Sequence, residues 1–429
     1  MGITINGSSA AGNIDLGTNG TRTDLAVGGL PDGTVDGDSV STIPASKLTG
    51  ALPAISGASL SGITTRTTPF RNIIINGAMQ VAQRGTSSTT SGYATVDRFT
   101  TTWSGQDEAP TQEQASLTTS DTGPWAKGFR KALKITNGNQ SSGAGAADSS
   151  QTLYKMEGQD LNHSGWDYAD PNSKITLSFW AKSSVAQTFY IRLRGYATGG
   201  QMQYYAGFAL AANTWTKVTK TIPGHASLAD IPNNTSTGLF LVWQHYYGTD
   251  YTGTQTENAW HAKDTANNYP DMTTTWWTTN DATFMLTGVQ LEAGDTATAF
   301  EHRSYGDELA RCRRYYHHWV DSWDGTEATT GLMFQSYSSS GGHCPIHLVP
   351  QMRGVPTTKV SNSSNAWQYI DGGSSDDFDE IVGNSTSIWT NQCIELYAQG
   401  NLGTTSGHAA FVRCKSSPNT TYLAFDAEL

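Results

Sequence analysis

Short segments of alternating apolar and polar residues run through the middle of this 429-residue chain. In Lys174–Lys182 and Thr188–Gly195 every second residue is apolar, which predicts strands that bury one face and expose the other. The residues expected to point inward are Ile175, Leu177, Phe179, Ala181, Phe189, Ile191 and Leu193. The residues expected to point outward from the second segment are Tyr190, Arg192 and Arg194.

Two further segments extend the strand pattern. Gly238–Tyr246 is apolar on both faces in its first half, so we expect one side to pack against a loop or a neighbouring chain. Ala282–Glu292 is also a strand, in which Gly288 predicts a bulge. Period-two segments separated by Gly, Asn and Pro turns indicate an antiparallel sandwich, and the length fits a jelly roll with insertions. The polar and aromatic stretch 246–281 would be one insertion.

The chain divides into three regions, and the fold class predicted for the whole is all-β. Residues 1–69 are a low-complexity stalk, residues 70–303 the jelly-roll sandwich, and residues 304–429 a small β domain with one leading helix. The helix is predicted over Ser304–Val320, where Ser304 and Asp307 form a start similar to a capping box. Its apolar stripe would consist of Leu309, Cys312, Tyr316 and Trp319.

The first region differs in composition from the rest of the chain. Phe70 is the first aromatic residue, and the residues before it are mainly Gly, Ser, Thr, Ala and Asp with isolated aliphatic residues. One copy of such a segment buries too little apolar surface to offset its ordering entropy. Two interpretations remain open: an intertwined shaft formed by several copies, or a flexible linker.

Composition and charge exclude several classes of protein. A net charge of −11 argues against nucleic acid or an anionic membrane as the main partner. The start of the chain lacks the basic and apolar regions of a signal peptide, and no stretch reaches the roughly 18 apolar residues of a membrane span. We therefore expect synthesis in a cytoplasm. The widely spaced Cys312, Cys344, Cys393 and Cys414 favour buried free thiols over disulfides.

Three phrases resemble a recurrent pattern in bacteriophage tail-fibre and related virion appendage proteins. They are Asn72–Gly85 with Tyr93–Phe99, then Thr287–Glu301, and then Tyr305–Tyr316. The resemblance implies a structural protein of the virion, carrying a jelly roll similar to a carbohydrate-binding module. It implies a homotrimer that attaches to the phage tail or an adaptor through its N-terminal region and binds a host-surface glycan. It does not imply an enzyme.

Two other functions are weighed against this interpretation. The first is a virion-associated polysaccharide depolymerase, for which two carboxyl groups must face each other across a groove. The acidic run 376–380 offers carboxylates, but adjacent acids in a Gly-Ser loop are more typical of a solvated turn. The second is a capsid or tail decoration protein without host contact.

Candidate residues follow from side-chain chemistry. In the shared phrases Arg84 and Arg98 lie close to Asp97 in sequence, and we expect such arginine–carboxylate pairs to be structural pins. Sugar rings stack on aromatic side chains, so the candidate ligand-binding residues are Tyr247, Tyr251, Trp260, Trp276 and Trp277. A contact between subunits is the competing interpretation of Trp276 and Trp277. A structural Ca²⁺ is the cofactor implied by the jelly-roll resemblance, with possible ligands Asp97, Asp160, Glu292 and Asp295.

Overall fold

The computed structural model describes residues 71–429 except 198–199, 264–267, 322–327, 361–364, 372–373, 384–389, 401, 403–405 and 416–420. Thr68–Leu429 forms one compact unit. The expectations for residues 1–69 lie outside the described residues. No helix among the described residues is long and apolar enough to cross a membrane.

The first part of the described chain is an antiparallel sandwich of jelly-roll type. Its strands, numbered in chain order, are β1 (Ser87–Ser88), β2 (Phe99–Ser104), β3 (Thr111–Ser116), β4 (Lys131–Thr136), β5 (Ser149–Glu157), β6 (Lys174–Ser183), β7 (Gln187–Ala197), β8 (Gly200–Leu210), β9 (Thr216–Pro223), β10 (Thr237–Tyr247), β11 (Thr252–Gly253), β12 (Trp260–Ala262), β13 (Tyr269–Pro270) and β14 (Thr283–Ala293). Sheet A has the order β1-β3-β4-β14-β6-β9, and sheet B has the order β12-β8-β7-β10-β5-β2. All-β architecture is thus confirmed.

The sandwich core lies between the two sheets and follows the predicted alternation. The seven residues expected to point inward from β6 and β7 are all completely buried. Trp243 of β10 packs at the centre, where its ring centroid lies 5.8 Å from that of Phe179. The polar positions between them point away from the core, so each sheet has a distinct outer face.

The predicted bulge at Gly288 is confirmed. In β14 the register with β6 shifts between Thr287 and Gln290, and Gly288 has φ of 65°. The bulge leaves the backbone of Val289 free to bond the segment before β1: the Val289 N–H donates to the Gly77 carbonyl over 2.9 Å, and Asn72 Nδ2 donates to the Val289 carbonyl over 3.0 Å. The first two of the three shared phrases therefore meet at the edge of the core.

Short helices connect or follow the strands: α1 (Gly158–Asn162), α2 (Thr275–Thr278) and α3 (Tyr305–Arg313), with single 3-10 turns at Trp125–Lys127 and Ala226–Asp230. In α3 the Ser304 hydroxyl accepts a hydrogen bond from the Asp307 N–H over 3.1 Å, which caps the helix. The predicted helix to Val320 is wrong, because Tyr316–Asp321 pairs with a C-terminal strand. Aromatic and β-branched residues favour that extended conformation.

The remaining strands form the C-terminal β domain: β15 (Tyr316–Asp321), β16 (Ala328–Ser338), β17 (Gly341–His347), β18 (Thr357–Val360), β19 (Trp367–Asp371), β20 (Ser374–Phe378), β21 (Glu380–Gly383), β22 (Cys393–Gln399), β23 (Ala409–Cys414) and β24 (Tyr422–Asp426). They make a seven-stranded sheet, β20-β19-β23-β16-β17-β22-β21, and a three-stranded sheet, β15-β24-β18. The four cysteines are free thiols, and Cys312, Cys344 and Cys414 are buried.

Candidate functional site

The outer face of sheet B is built from the residues of β5, β7, β8 and β10 that alternate with the core residues. On β7 these are Tyr190, Arg192 and Arg194, as the pattern predicted. The strand register aligns them with polar and aromatic side chains of the neighbouring strands. The three resulting cross-strand rows are Gly207–Tyr190–Gln244–Gln151, Tyr205–Arg192–Val242–Leu153 and Gln203–Arg194–Phe240–Lys155.

Two glutamines on this face are buried without hydrogen-bonding partners. Gln203 and Gln244 each have 0% exposed surface. Neither the amide nitrogen nor the amide oxygen of either side chain has a partner in the part of the chain that the structure describes. A buried polar group left in this state costs about 1–3 kcal/mol, and such groups in native proteins are normally satisfied by protein, water or ligand. The four amide atoms therefore lie inside the packed face without described hydrogen-bonding partners.

Two arginines of the same face carry charges without carboxylate partners. The Arg192 guanidinium carbon lies 4.3 Å from the centroid of the Tyr269 ring, and that of Arg194 lies 3.9 Å from the Phe240 ring. The Nε atoms of both are buried and unpartnered, and neither forms a salt bridge with a described residue. Burial, with the neighbouring charge of Arg192, lowers the pKa of Arg194. The rings hold the guanidinium groups in place, Arg192 also hydrogen-bonds to Tyr205, and the two Nε–H donors have no described partner.

A cluster of tyrosines from the 246–281 insertion packs on this face. Tyr247 stacks on Tyr269 with ring centroids 3.7 Å apart, and both contact the buried Tyr205 of β8. The Tyr205 hydroxyl donates to the Asn268 carbonyl, which ties the insertion to the sheet. Tyr251 packs against the cluster and is partly buried. The structure thus brings two of the five predicted ligand residues, Tyr247 and Tyr251, to the outer face of sheet B.

The other three predicted ligand residues belong to the sandwich core, which corrects the expectation of an aromatic surface. Trp276 and Trp277 of α2 have 0% exposed surface, and Trp260 has 9%. Trp277 stacks on Tyr246 and donates from Nε1 to Asp148 Oδ2 over 3.1 Å. Rings buried on all sides present no face to a sugar. They also make no subunit contact, because their neighbours are core residues of the same chain.

The four candidate metal ligands are not brought together. Among the described residues no group of three or more His, Cys, Asp or Glu side chains is arranged to hold a metal ion. The Glu292 carboxylate accepts hydrogen bonds from Thr298 N–H and Gln290. Asp97 accepts from Gln83, and burial raises the pKa of Asp97 to about 6. Asp160 and Asp295 lie on other elements, in α1 and after β14. The predicted Ca²⁺ site therefore has no support from this arrangement.

The two arginines predicted as structural pins lie in a buried ionic network. Arg84 Nη1 lies 3.8 Å from Asp97 Oδ1, and its guanidinium carbon lies 3.6 Å from the Tyr316 ring centroid. Arg98, with 1% of its side chain exposed, donates to Glu428 and packs over Tyr315 at 3.4 Å. Arg84 also reaches Glu428, over 3.4 Å. These contacts join the start of the sandwich to the residues that follow the last strand, β24.

The residues that define the site were partly visible in the sequence. Alternation placed Arg192 and Arg194 on an outer face, and the same alternation in β8 would have placed Gln203 with them. The segment Thr237–Tyr247 gave no such signal, because it is apolar on both sides and Gln244 is one polar residue within it. Unpartnered amides are a property of the assembled sheet, so only the structure identifies them.

No protein-family profile matches this chain, and no curated protein matches it. The enzymatically active domain of tailspike protein 4 of bacteriophage CBA120 is 11% identical, with a TM-score of 0.29, over 53% of this chain and 22% of that chain. A family 11 carbohydrate-binding module from Clostridium thermocellum, in complex with a mixed-linked tetrasaccharide, is 9% identical, with a TM-score of 0.23, over 51% of this chain and 98% of the module. The tandem CBM22 domains of Paenibacillus barcinonensis Xyn10C are 11% identical, with a TM-score of 0.23, over 76% of this chain and 93% of theirs. At these TM-scores the likeness carries no inference about function.

Proposed function

We propose that this protein is a carbohydrate-binding adhesin of the phage tail-fibre type, which binds a host-surface glycan through the outer face of sheet B. One observation carries the proposal: the outer face of sheet B presents Tyr190 and Arg194, both half-buried, and Tyr196, which is 36% exposed, in a line along β7. The role is binding without hydrolysis. In this proposal the chain is made in the host cytoplasm, forms a homotrimer and joins the virion through its N-terminal region.

The chemistry of the face matches the chemistry of a sugar. Each sugar hydroxyl both donates and accepts hydrogen bonds; a tyrosine hydroxyl does the same, and the guanidinium of Arg194 donates. Aromatic rings such as Tyr190 and Tyr196 add flat surfaces at the accessible edge of the face, where Tyr196 is 36% exposed. Binding sites with a few fixed polar groups among aromatic side chains are typical of small-ligand recognition.

The test is a binding measurement with surface polysaccharides extracted from bacterial hosts, followed by calorimetry with the polysaccharide that is retained. The double variant Tyr190→Ala/Tyr196→Ala is expected to bind at least tenfold more weakly, while Gln392→Leu, on the exposed surface of the C-terminal domain, binds as the parent does. Unchanged affinity in the double variant would show that the glycan does not bind to the outer face of sheet B. A parent protein that retains none of the polysaccharides would contradict glycan adhesion itself.

An exposed apolar row supports the homotrimer in this proposal. Met333 of β16 and Phe411 of β23 are direct cross-strand neighbours, and each is more than half exposed, at 54% and 52%. Ile370 of β19 continues the row beyond Phe411. Contiguous exposed apolar side chains on one sheet face are typical of a protein–protein contact. We assign this row to contact with the other copies of the chain.

Solution mass tests the assembly. Light scattering on the full chain and on a chain beginning near Phe70 is expected to give three chain masses for the full protein. A trimer in both would place the contact in the β domains, and loss of the trimer on truncation would place it in the first region. A monomer or a stable dimer of the full chain would contradict the proposal.

A further inference from the structure

Three aromatic side chains, the C-terminal aromatic cluster, lie together on the outer face of the seven-stranded sheet. Tyr337 of β16, His343 of β17 and Tyr397 of β22 alternate with buried residues, so all three point out of the domain. The ring centroids of Tyr337 and Tyr397 are 5.8 Å apart with an interplanar angle of 21°. The His343 ring lies 4.8 Å from the first and 5.1 Å from the second. Because Tyr337 is 50% exposed, a molecule in solution can reach the cluster.

The backbone beside the two tyrosines brings their hydroxyl groups together. The pairing of β16 with β17 shifts register between Ser336 and Ser338, and such a bulge re-aims the side chain that it carries, here Tyr337. The hydroxyls of Tyr337 and Tyr397 are hydrogen-bonded to each other, and this bond raises the pKa of Tyr397. A Cβ at position 341 would lie 2.5 Å from both hydroxyl oxygens, so Gly341 leaves the space in which they meet. The rings are thereby held nearly parallel at the surface.

Polar groups that can bond to hydroxyls surround the aromatic cluster. The Nδ1 atom of His343 lies 3.1 Å from Oε1 of Glu395, and both side chains are partly exposed. Gln335 is the direct cross-strand neighbour of His343 and is exposed. The carboxylate accepts hydrogen bonds, and the amide and the phenols both donate and accept them. Exposed rings bordered by such groups offer both kinds of contact that a sugar makes.

We propose that the C-terminal aromatic cluster is a second saccharide site, which takes a neutral pyranose sugar. The sugar packs its C–H face on the exposed ring of Tyr337, and its hydroxyls bond to Glu395 and Gln335. Charge selects a neutral ligand, because the sequences of β16, β17 and β22 contain no lysine or arginine and their one acidic residue is Glu395. An anionic sugar would meet that carboxylate without a permanent positive charge beside it.

A second copy of the chain is the competing occupant, and the polar groups of the cluster favour the sugar. A dry protein contact would take the His343–Glu395 pair out of water, a cost that sugar hydroxyls avoid by bonding to it. The apolar row of Met333 and Phe411, which we assign to contact between copies, has no such pair. Met333 lies four residues before Tyr337 on β16, about 13 Å along the strand. The two surfaces therefore occupy different parts of one sheet face.

Calorimetry on the full chain tests this site through the affinity and the number of saccharides bound per chain. The neutral probes are cellotriose, maltotriose and the methyl ester of trigalacturonate, and trigalacturonate itself is the anionic probe. Tyr337→Ala removes the exposed ring, whereas Tyr337→Phe keeps the ring and removes only the hydroxyl. Tyr305→Ala is the matched control, because Tyr305 is also an exposed tyrosine, at 56%, but lies on α3.

At least one neutral probe is expected to bind, and Tyr337→Ala loses one bound saccharide per chain. Tyr337→Phe keeps that saccharide with weaker affinity, and Tyr305→Ala binds as the parent does. Trigalacturonate binds at least tenfold more weakly than the tightest neutral probe. The inference is overturned if no neutral probe binds, if the acid binds equally well, or if Tyr337→Ala binds as many saccharides as the parent.

Two further measurements separate this site from the other surfaces of the protein. The double variant Tyr190→Ala/Tyr196→Ala should still bind the neutral probe at the aromatic cluster. Loss of the probe in that variant, with Tyr337→Ala unaffected, would place the probe on sheet B, which contradicts this inference and supports the proposed function. Light scattering should give Tyr337→Ala the same solution mass as the parent. A lower mass would assign the cluster to contact between copies and overturn the saccharide site.

Discussion

Arg98 donates a hydrogen bond to Glu428, a residue 330 positions later in the chain, and both side chains are almost completely buried. The guanidinium also donates to the Lys155 carbonyl over 2.7 Å and packs over Tyr315. Two charges removed from water are stable only when each satisfies the other, so this pair makes the sandwich and the segment after β24 dependent on each other.

Removing one member of this buried ion pair should destabilise the fold. We expect Arg98→Met to lower the free energy of unfolding by about 3–5 kcal/mol, because it removes the nearest cation from the buried Glu428 and leaves Arg84, at 3.4 Å, as its remaining described partner. Urea denaturation followed by tryptophan fluorescence measures the change. The double variant Arg98→Met/Glu428→Leu should recover a large part of the loss. A single variant as stable as the parent would show that Glu428 finds solvent or another partner.

Acid should destabilise the sandwich through His245. Burial lowers the pKa of this histidine to about 3, with Ser150 Oγ 3.0 Å from Nδ1. Because the folded pKa lies below the unfolded value of about 6.5, the unfolded chain takes up a proton first as the pH falls. The contribution to stability is complete above pH 6.5 and is lost at about 1.4 kcal/mol per pH unit down to about pH 3.

The measurement is the free energy of unfolding between pH 7.5 and 4.5 for the parent and for His245→Gln. Between pH 7.5 and pH 4.5 the free energy of unfolding of the variant should fall by about 2–3 kcal/mol less than that of the parent. His163→Gln, at an exposed position, should follow the parent curve. Parallel curves for the parent and His245→Gln would show that His245 takes up its proton in the folded state at its ordinary pKa.

Gln112 and Gln203 should respond oppositely to replacement by leucine, because the first side chain is hydrogen-bonded and the second is not. Gln112 is also completely buried, but its Nε2 donates to the carbonyls of Thr90 and Gly92, and its Oε1 accepts from Thr95. Gln112→Leu should therefore cost about 1–3 kcal/mol, whereas Gln203→Leu should leave thermal stability equal or higher, because the unpartnered amide is removed. Differential scanning calorimetry distinguishes them. An equal loss in both would mean that bound water satisfies Gln203 in the free protein.

The exposed row on the seven-stranded sheet should control assembly. Met333→Ser/Phe411→Ser removes the apolar surface that we assign to contact between copies, so the concentration at which trimers dissociate should rise at least tenfold. Sedimentation equilibrium measures it. Val349→Ser is the control, because it also replaces an exposed apolar side chain by serine but lies in a loop, where Val349 is 74% exposed. A trimer unaffected by the double substitution would exclude this row from the interface.

Period-two alternation predicted the strands because it reports one simple condition, the burial of one face. Residues such as Ile175, Leu177 and Phe179 occupy the core as expected, and Gly288 forms the expected bulge. Local pattern failed where pairing with a distant segment decides the conformation. Tyr316 and Trp319 fit a helical stripe after Leu309 and Cys312, but hydrogen bonding to β24 makes them part of a strand.

The candidate site was harder to predict for a related reason. Trp276 and Trp277 stand among polar residues in the sequence, which favoured a surface position, yet their large apolar area drives them into the core. Glu428 gave no signal as the partner of Arg98, because nothing local marks a contact across most of the chain. Burial and hydrogen-bond satisfaction depend on all the strands together, so they become visible only in the assembled sheets.

The distance between Arg98 and Glu428 along the chain also has a consequence during synthesis. A ribosome adds roughly 5–20 residues per second, so the 330 residues between them take on the order of 15–65 s to appear. Once β14 has been made, the strands of the sandwich are present, but one buried cation lacks this anion until Glu428 follows. Completion of the fold is thereby tied to translation of the residues after β24, and a chain interrupted earlier retains an uncompensated charge that exposes it to degradation.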